Sequence, residues 1–165
     1  MAVIDIGPGA SERPEYLTAG STVIDKNNPA NLSGRITEVK LWANSIMGSV
    51  EVGIFTQVDT DIFTSRSNSL LNSGNNVPIG LQTYAVNLAV EAGDFIGLYW
   101  VGGGIKRNDA GYLGNWYKTG DNIPCTATSF GFSASRALAL EGSGTDILAG
   151  GSAAVAIAVV TIGAI

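Results

Sequence analysis

No stretch of a dozen residues in this chain holds a 3.6-residue hydrophobic period, so amphipathic helices cannot build its core. Short runs rich in Val, Ile, Thr, Phe and Tyr recur instead. Clusters of Gly, Asn, Asp, Ser and Pro separate them, as turns separate strands. The segment RALALEG is too short and too closely flanked by glycine to be read as a helix. Residues 34–43, GRITEVKLWA, place Thr37, Val39, Leu41 and Ala43 on one side and Ile36, Glu38, Lys40 and Trp42 on the other. In residues 49–58, Val50, Val52 and Ile54 share a face opposite Glu51 and Gln57. In residues 81–90, Tyr84, Val86, Leu88 and Val90 alternate with Thr83, Ala85 and Asn87. Residues 94–102, DFIGLYWVG, are apolar on both faces, which predicts a central strand. Gly93 can supply positive φ to the turn before it, and Asp94 can bond back to that turn. Weaker strands are expected at residues 3–6, 22–25, 61–65, 113–117, 128–132 and 137–141.

About ten short strands in one chain of 165 residues cannot lie in one flat sheet. They require two packed sheets or a closed barrel. The fold class is therefore all-β, and the length suits one domain of ordinary size. The chain contains no histidine. That removes Ser-His-Asp and Cys-His nucleophile systems and nearly all zinc sites. A net charge of −5 without a Lys/Arg cluster argues against nucleic acid, whose phosphates need a basic surface. Cys125 is the lone cysteine, so it cannot form an intrachain disulfide or half of a CxxC pair. It reads as a small apolar filler. The opening MAVIDIGPGASERPEY has neither a basic stretch nor a long apolar stretch. The expectation is synthesis in a cytoplasm without a recognisable signal peptide.

Three segments in order, NNPANLSGRITEVKLWAN, SVEVGIF and VNLAVEAGDFIGLYWVGGGIKRNDAGYLGNWYKTGD, together resemble jelly-roll β-sandwich modules. Such modules occur in structural proteins of tailed phages and in surface or fibre-like proteins of environmental bacteria. The resemblance covers roughly residues 20–142 and is carried best by residues 36–44, 92–100 and 111–120. It implies a jelly-roll-like sandwich of antiparallel strands with a structural or binding role. No catalytic residue set comes with it.

Several constellations invite chemistry. Glu38 and Glu51 stand on successive strands and could face one another as a glycosidase pair does, although both occupy solvent positions. Asp59 and Asp61 in QVDTDIF, with Asp25, Asn27 and Asn28 elsewhere, offer hard oxygen ligands of the kind Ca²⁺ takes. Ordinary turn chemistry uses the same residues. WVGGGIKR lacks the GKS/T ending of a phosphate loop and reads as a flexible hairpin. Tyr112, Trp116 and Tyr117 in GYLGNWYKTGD could form an aromatic platform for sugar rings. The same rings serve as core or subunit contacts in other sandwiches, and Trp42 and Trp100 are further candidates for the platform. Asn31 in NLS fits a glycosylation acceptor, which without a secretory signal reads as chance.

The chain closes in GGSAAVAIAVVTIGAI, with GSGTD at residues 142–146 as a plausible linker before it. The division expected is a sandwich over residues 1–145 and an apolar segment over 146–165. A membrane span is one reading, but the run falls short of the roughly 20 residues a helix needs and lacks aromatic or basic anchors. A helical membrane dip is disfavoured by its Val, Ile and Gly. A strand is the third reading. Val155, Ile157 and Val159 alternate with alanines, and the large residues then change phase at Val160 and Ile162. Such a strand must be buried on both faces, as the domain's own last strand or against a neighbouring subunit. The contact residues would be Val155, Ile157, Val159, Val160, Ile162 and Ile165.

These features favour a non-enzymatic structural subunit of a self-assembling particle. It would be a phage virion protein (head decoration, spike or fibre) or a surface filament, partnered by itself and by other virion or surface proteins. It would end in a virion or a cell-surface assembly. No cofactor is called for beyond a structural calcium. The alternative is a carbohydrate-binding module using the aromatic platform. An enzyme would need a carboxylate pair in a cleft.

Overall fold

In a computed structural model of the chain, residues 2–146 are described. The fold is all-β. Its strands are β1 (Val3–Gly9), β2 (Glu15–Thr18), β3 (Ser21–Asp25), β4 (Gly34–Ser45), β5 (Gly48–Asp59) and β6 (Ile62–Leu70). After a short 3₁₀ turn follow β7 (Gly80–Val90), β8 (Phe95–Val101), β9 (Gly104–Thr119), β10 (Thr128–Ser129), β11 (Gly131–Leu138) and β12 (Leu140–Thr145). All pairings between them are antiparallel.

Two rows of four strands carry the core. One runs β1-β12-β4-β7, the other β3-β8-β5-β6. Their apolar faces meet in one cluster, with Ile6, Ile36, Val39, Leu41 and Leu88 from the first row and Val50, Val52, Ile54, Ile96 and Leu98 from the second. Gly142 of β12 shows how closely the rows stack, since a Cβ there would stand 3.3 Å from Ile96 Cδ1 of β8. This is a β-sandwich. As its two apolar faces require, β8 lies between β3 and β5. Ile96, Leu98 and Trp100 face the main core, while Phe95 and Tyr99 pack against a second cluster on the outside of that row. The turn before β8 is built as expected: Gly93 has φ +92°, and Asp94 Oδ2 accepts the Glu91 N–H at 2.8 Å.

Strand β9 joins the rows. It pairs with β3 through Ser21↔Thr119 to Asp25↔Asn115 and with β4 at Ala43↔Ile105. β11 and β2 pair along it as well. The expected strand at 113–117 is therefore the end of a 16-residue element. The expected strand at 128–132 divides into β10 and the start of β11. β2, EYLT, is too short and too polar to show a period.

Three expectations need correction. Ile36 is buried and Thr37 exposed, the reverse of the alternation that runs from Val39 to Ala43. The register shifts between Ile36 and Glu38 against β7, and between Ser143 and Gly144 against β12, so a bulge resets the phase. The glycines of WVGGGIKR do not form a hairpin. β8 pairs with β5 up to Gly48↔Val101, whereas β9 starts by pairing with β4. Gly102 and Gly103, at φ +70° and +72°, turn the chain through a corner between the two. Residues 142–146 are no linker, because β12 pairs with β1 on one side and β4 on the other through Thr145. Its glycines serve close approach: a Cβ on Gly144 would lie 1.8 Å from the Arg35 carbonyl oxygen. The apolar segment beyond lies outside the described residues.

Edge strand β1 is covered by the loop between β3 and β4. Gly7 N–H donates to the Asn28 carbonyl at 2.8 Å, and Asn31 Nδ2 donates to the Val3 carbonyl at 3.1 Å. β7, the other edge of that row, pairs among the described strands with β4 alone.

Candidate functional site

Where β3, β9 and β11 run side by side, equivalent residues line up across the strands. Asp25 pairs with Asn115 and Asn115 with Ser133; Val23 pairs with Tyr117 and Tyr117 with Gly131. Cross-strand partners share a face, so this row presents Asn115, Tyr117 and Ser133 together. The face opens into a pocket of about 330 Å³, closed by Leu17 and Thr18 of β2, Ser21 and Val23 of β3, and Arg136 of β11.

Asp25 is the pocket's buried foundation. Its carboxylate accepts Asn27 N–H at 2.9 Å and Asn27 Nδ2 at 2.7 Å on one oxygen. The other oxygen accepts Asn115 Nδ2 at 2.9 Å and Leu138 N–H at 2.7 Å. Burial raises its pKa to about 6 against the pull of those four donors. With Nδ2 held there, the buried Asn115 Oδ1 has no hydrogen-bond partner among the described residues. Arg136 Nε lies 3.6 Å from Asp109 Oδ1. Among the described residues the terminal nitrogens of Arg136 and the hydroxyls of Thr18, Ser21 and Ser133 form no hydrogen bonds.

The aromatic platform does not form as expected. Trp116 is only 2% exposed because strand period 2 turns it to the face opposite Tyr117. It packs edge-on against Phe63 and Phe95, with centroids 4.6 and 5.1 Å away. Its Nε1 donates to Asp61 Oδ1 at 2.7 Å. Tyr117 remains 44% exposed in the pocket wall. Tyr112 is exposed as well, but it lies under the guanidinium of Arg13, 5.1 Å from its centroid. Trp100 is fully buried in the main core. Nothing in the sequence except the strand period separated Trp116 from Tyr117, and no motif pointed to Arg136 or Asn115.

The other candidates fall in separate places. Asp59 and Asp61 flank the β5–β6 turn. Asp59 Oδ1 accepts the Thr60 N–H at 2.7 Å, and Asp61 takes φ +58° and holds Trp116. Asp25 is engaged elsewhere, as above. Among the described residues no group of three or more His, Cys, Asp or Glu is arranged to hold a metal ion. Glu38 and Glu51 do not face one another. Glu38 pairs with Lys40 at 3.2 Å outside the first row. Glu51 accepts Asn68 Nδ2 at 2.7 Å outside the second, so the sandwich stands between them. Cys125 is half-buried against the second aromatic cluster.

A second feature escaped the sequence reading. The β4–β5 turn, the β8–β9 corner and the entry to β7 meet at one end of the sandwich. Met47 bridges to Val77, Gly48 pairs with Val101, and Ala43 pairs with Gly80. Ile46, Ile79, Leu81 and Val101 lie on these segments, each 49–61% exposed. The described chain ends far from them. Thr145 pairs with Arg35 at the start of β4, and Asp146 and Ala2 bond to one another, whereas Ile46 follows the end of β4. The two ends are roughly 35 Å apart along that strand.

Compared with protein-family models, with curated proteins and with solved structures, the chain matches none.

Proposed function

We propose that this chain is a structural subunit that assembles with copies of itself, in a virion or a surface filament. The observation that carries the reading is the separation of two apolar features. The apolar segment at residues 150–165 follows Asp146, at one end of β4. The exposed apolar residues Ile46, Ile79, Leu81 and Val101 sit at the other. A segment that leaves one copy and covers the far end of the next makes a head-to-tail contact, which closes a ring or extends a filament. β7 begins at that end, and among the described strands only β4 pairs with it, leaving its other edge open, so an incoming strand has backbone to pair with as well as side chains to cover. The chain order supports a jelly roll. β1, β4, β7 and β12 belong to one row, β3, β5, β6 and β8 to the other, and the chain crosses between rows as that topology requires.

The test is the mass in solution of the full chain and of its Ile79→Lys/Val101→Lys double variant. Both positions are exposed, so the fold is expected to survive. Loss of the oligomer supports the reading, and an unchanged oligomer removes the apolar end from it.

A further inference from the structure

The pocket between β2, β3, β9 and β11 is finished on its buried side and unpaired on its open side, and that contrast carries an inference of its own. The geometry points to a binding site for a single carboxylated sugar ring, such as a uronic acid residue of an acidic glycan. This does not depend on the assembly reading.

Tyr117 supplies the ring face. It is held in place because Gly131 leaves room for it: a Cβ there would come within 3.0 Å of Tyr117 Cζ. Sugar rings stack on such a face through their axial C–H groups. Leu17 and Val23 extend the apolar wall. The hydroxyls of Thr18, Ser21 and Ser133 around it are donors and acceptors for ring hydroxyls. Asn115 Oδ1 is an acceptor fixed by the bond from Nδ2 to Asp25 and lacking a partner of its own. A buried acceptor left this way is costly unless a ligand or water completes it. Arg136 supplies the charge. Its Nε side faces Asp109, and its two terminal nitrogens present the planar fork that takes a carboxylate in two parallel bonds.

The lining also excludes other ligands. No carboxylate is among the described lining residues, and Asp25 beneath spends both oxygens on four donors. A zwitterionic amino acid would find no carboxylate to balance its ammonium group. At about 330 Å³ the pocket is at the small end of ligand sites, which suits one ring better than a nucleotide.

Saturation-transfer NMR on the full chain, which works for monomers and large assemblies alike, tests the assignment with methyl β-D-glucuronide and methyl β-D-glucoside. The glucuronide is expected to bind at least tenfold more tightly. Arg136→Gln should bring it down to the glucoside, Tyr117→Ala should abolish transfer to both, and Tyr112→Ala should change neither. Circular dichroism confirms that each variant is folded. Equal affinity for the two rings, no transfer to either, or glucuronide binding that survives Tyr117→Ala overturns the site. A 6-sulfated glucoside that outcompetes the glucuronide overturns the carboxylate as the recognised group.

Discussion

The carboxylate of Asp25 accepts the N–H of Leu138 at 2.7 Å, tying the last residue of β3 to the last residue of β11. The same oxygen holds Asn115 of β9. One buried carboxyl group thus fastens the long β9–β11 pair to the sandwich and sets the floor of the pocket.

Removing one of those acceptor oxygens should be expensive. Asp25→Asn puts an amide nitrogen among four N–H donors, so at least one buried donor loses its acceptor and two donors face each other. A loss of about 2–4 kcal/mol is expected, measured by urea unfolding at pH 7. Wild-type stability in Asp25→Asn would refute the hub.

The same group sets a pH dependence. The folded pKa of about 6 exceeds the ordinary 3.8, so the folded state binds the extra proton between those values. The stabilisation is therefore complete below about pH 4 and is lost as pH rises through about 6. It amounts to about 3 kcal/mol if the whole shift is expressed. Carboxyl carbon NMR of Asp25 should show a midpoint near 6. A midpoint at or below 4 would mean that the four donors outweigh burial.

Arg66 and Asp94 make an ion pair that is costly to break. Asp94 is buried, and Arg66 meets both of its oxygens while also bonding to Thr56 Oγ1 at 2.7 Å and Glu91 at 2.9 Å. Asp94 raises the guanidinium's pKa further. Arg66→Met should destabilise by about 3–5 kcal/mol, because it strands a buried carboxylate. Arg66→Met/Asp94→Leu should recover much of that loss. Unfolding both variants checks the pair, and no recovery in the double variant contradicts it.

Strand period reached much of this fold. It identified β5, β7 and β8, placed Val50, Val52 and Ile54 in the core, and put β8 in the middle of its sheet. It failed where backbone geometry, and not side-chain polarity, decides. The bulge beside Thr37 left no mark in residue type, and Gly142 and Gly144 looked like part of a linker although each fills a strand position too crowded for a Cβ. The site was less legible. Tyr117 stood out as an aromatic, but its partners Asn115 and Arg136 come together only through the pairing of β9 with β3 and β11, and no local motif encodes that.

The glycines give a prediction of their own. Gly144→Ala should cost more than about 3 kcal/mol or prevent folding, since the new methyl would meet the backbone of Arg35. Gly142→Ala meets only side-chain methyls, of Ile6, Ile36 and Ile96, and should cost about 1–3 kcal/mol. Thermal melts of the two variants establish the order, and a flexible linker would tolerate both.

The central claim is that the segment after Asp146 joins one copy to the next. Light-scattering mass of the full chain, set beside a chain ending at Asp146, tests it most directly. The account predicts a defined oligomer or filament for the full chain and a folded monomer for the shorter one, whose twelve strands keep all their pairings. Two monomers, or two identical oligomers, would contradict it.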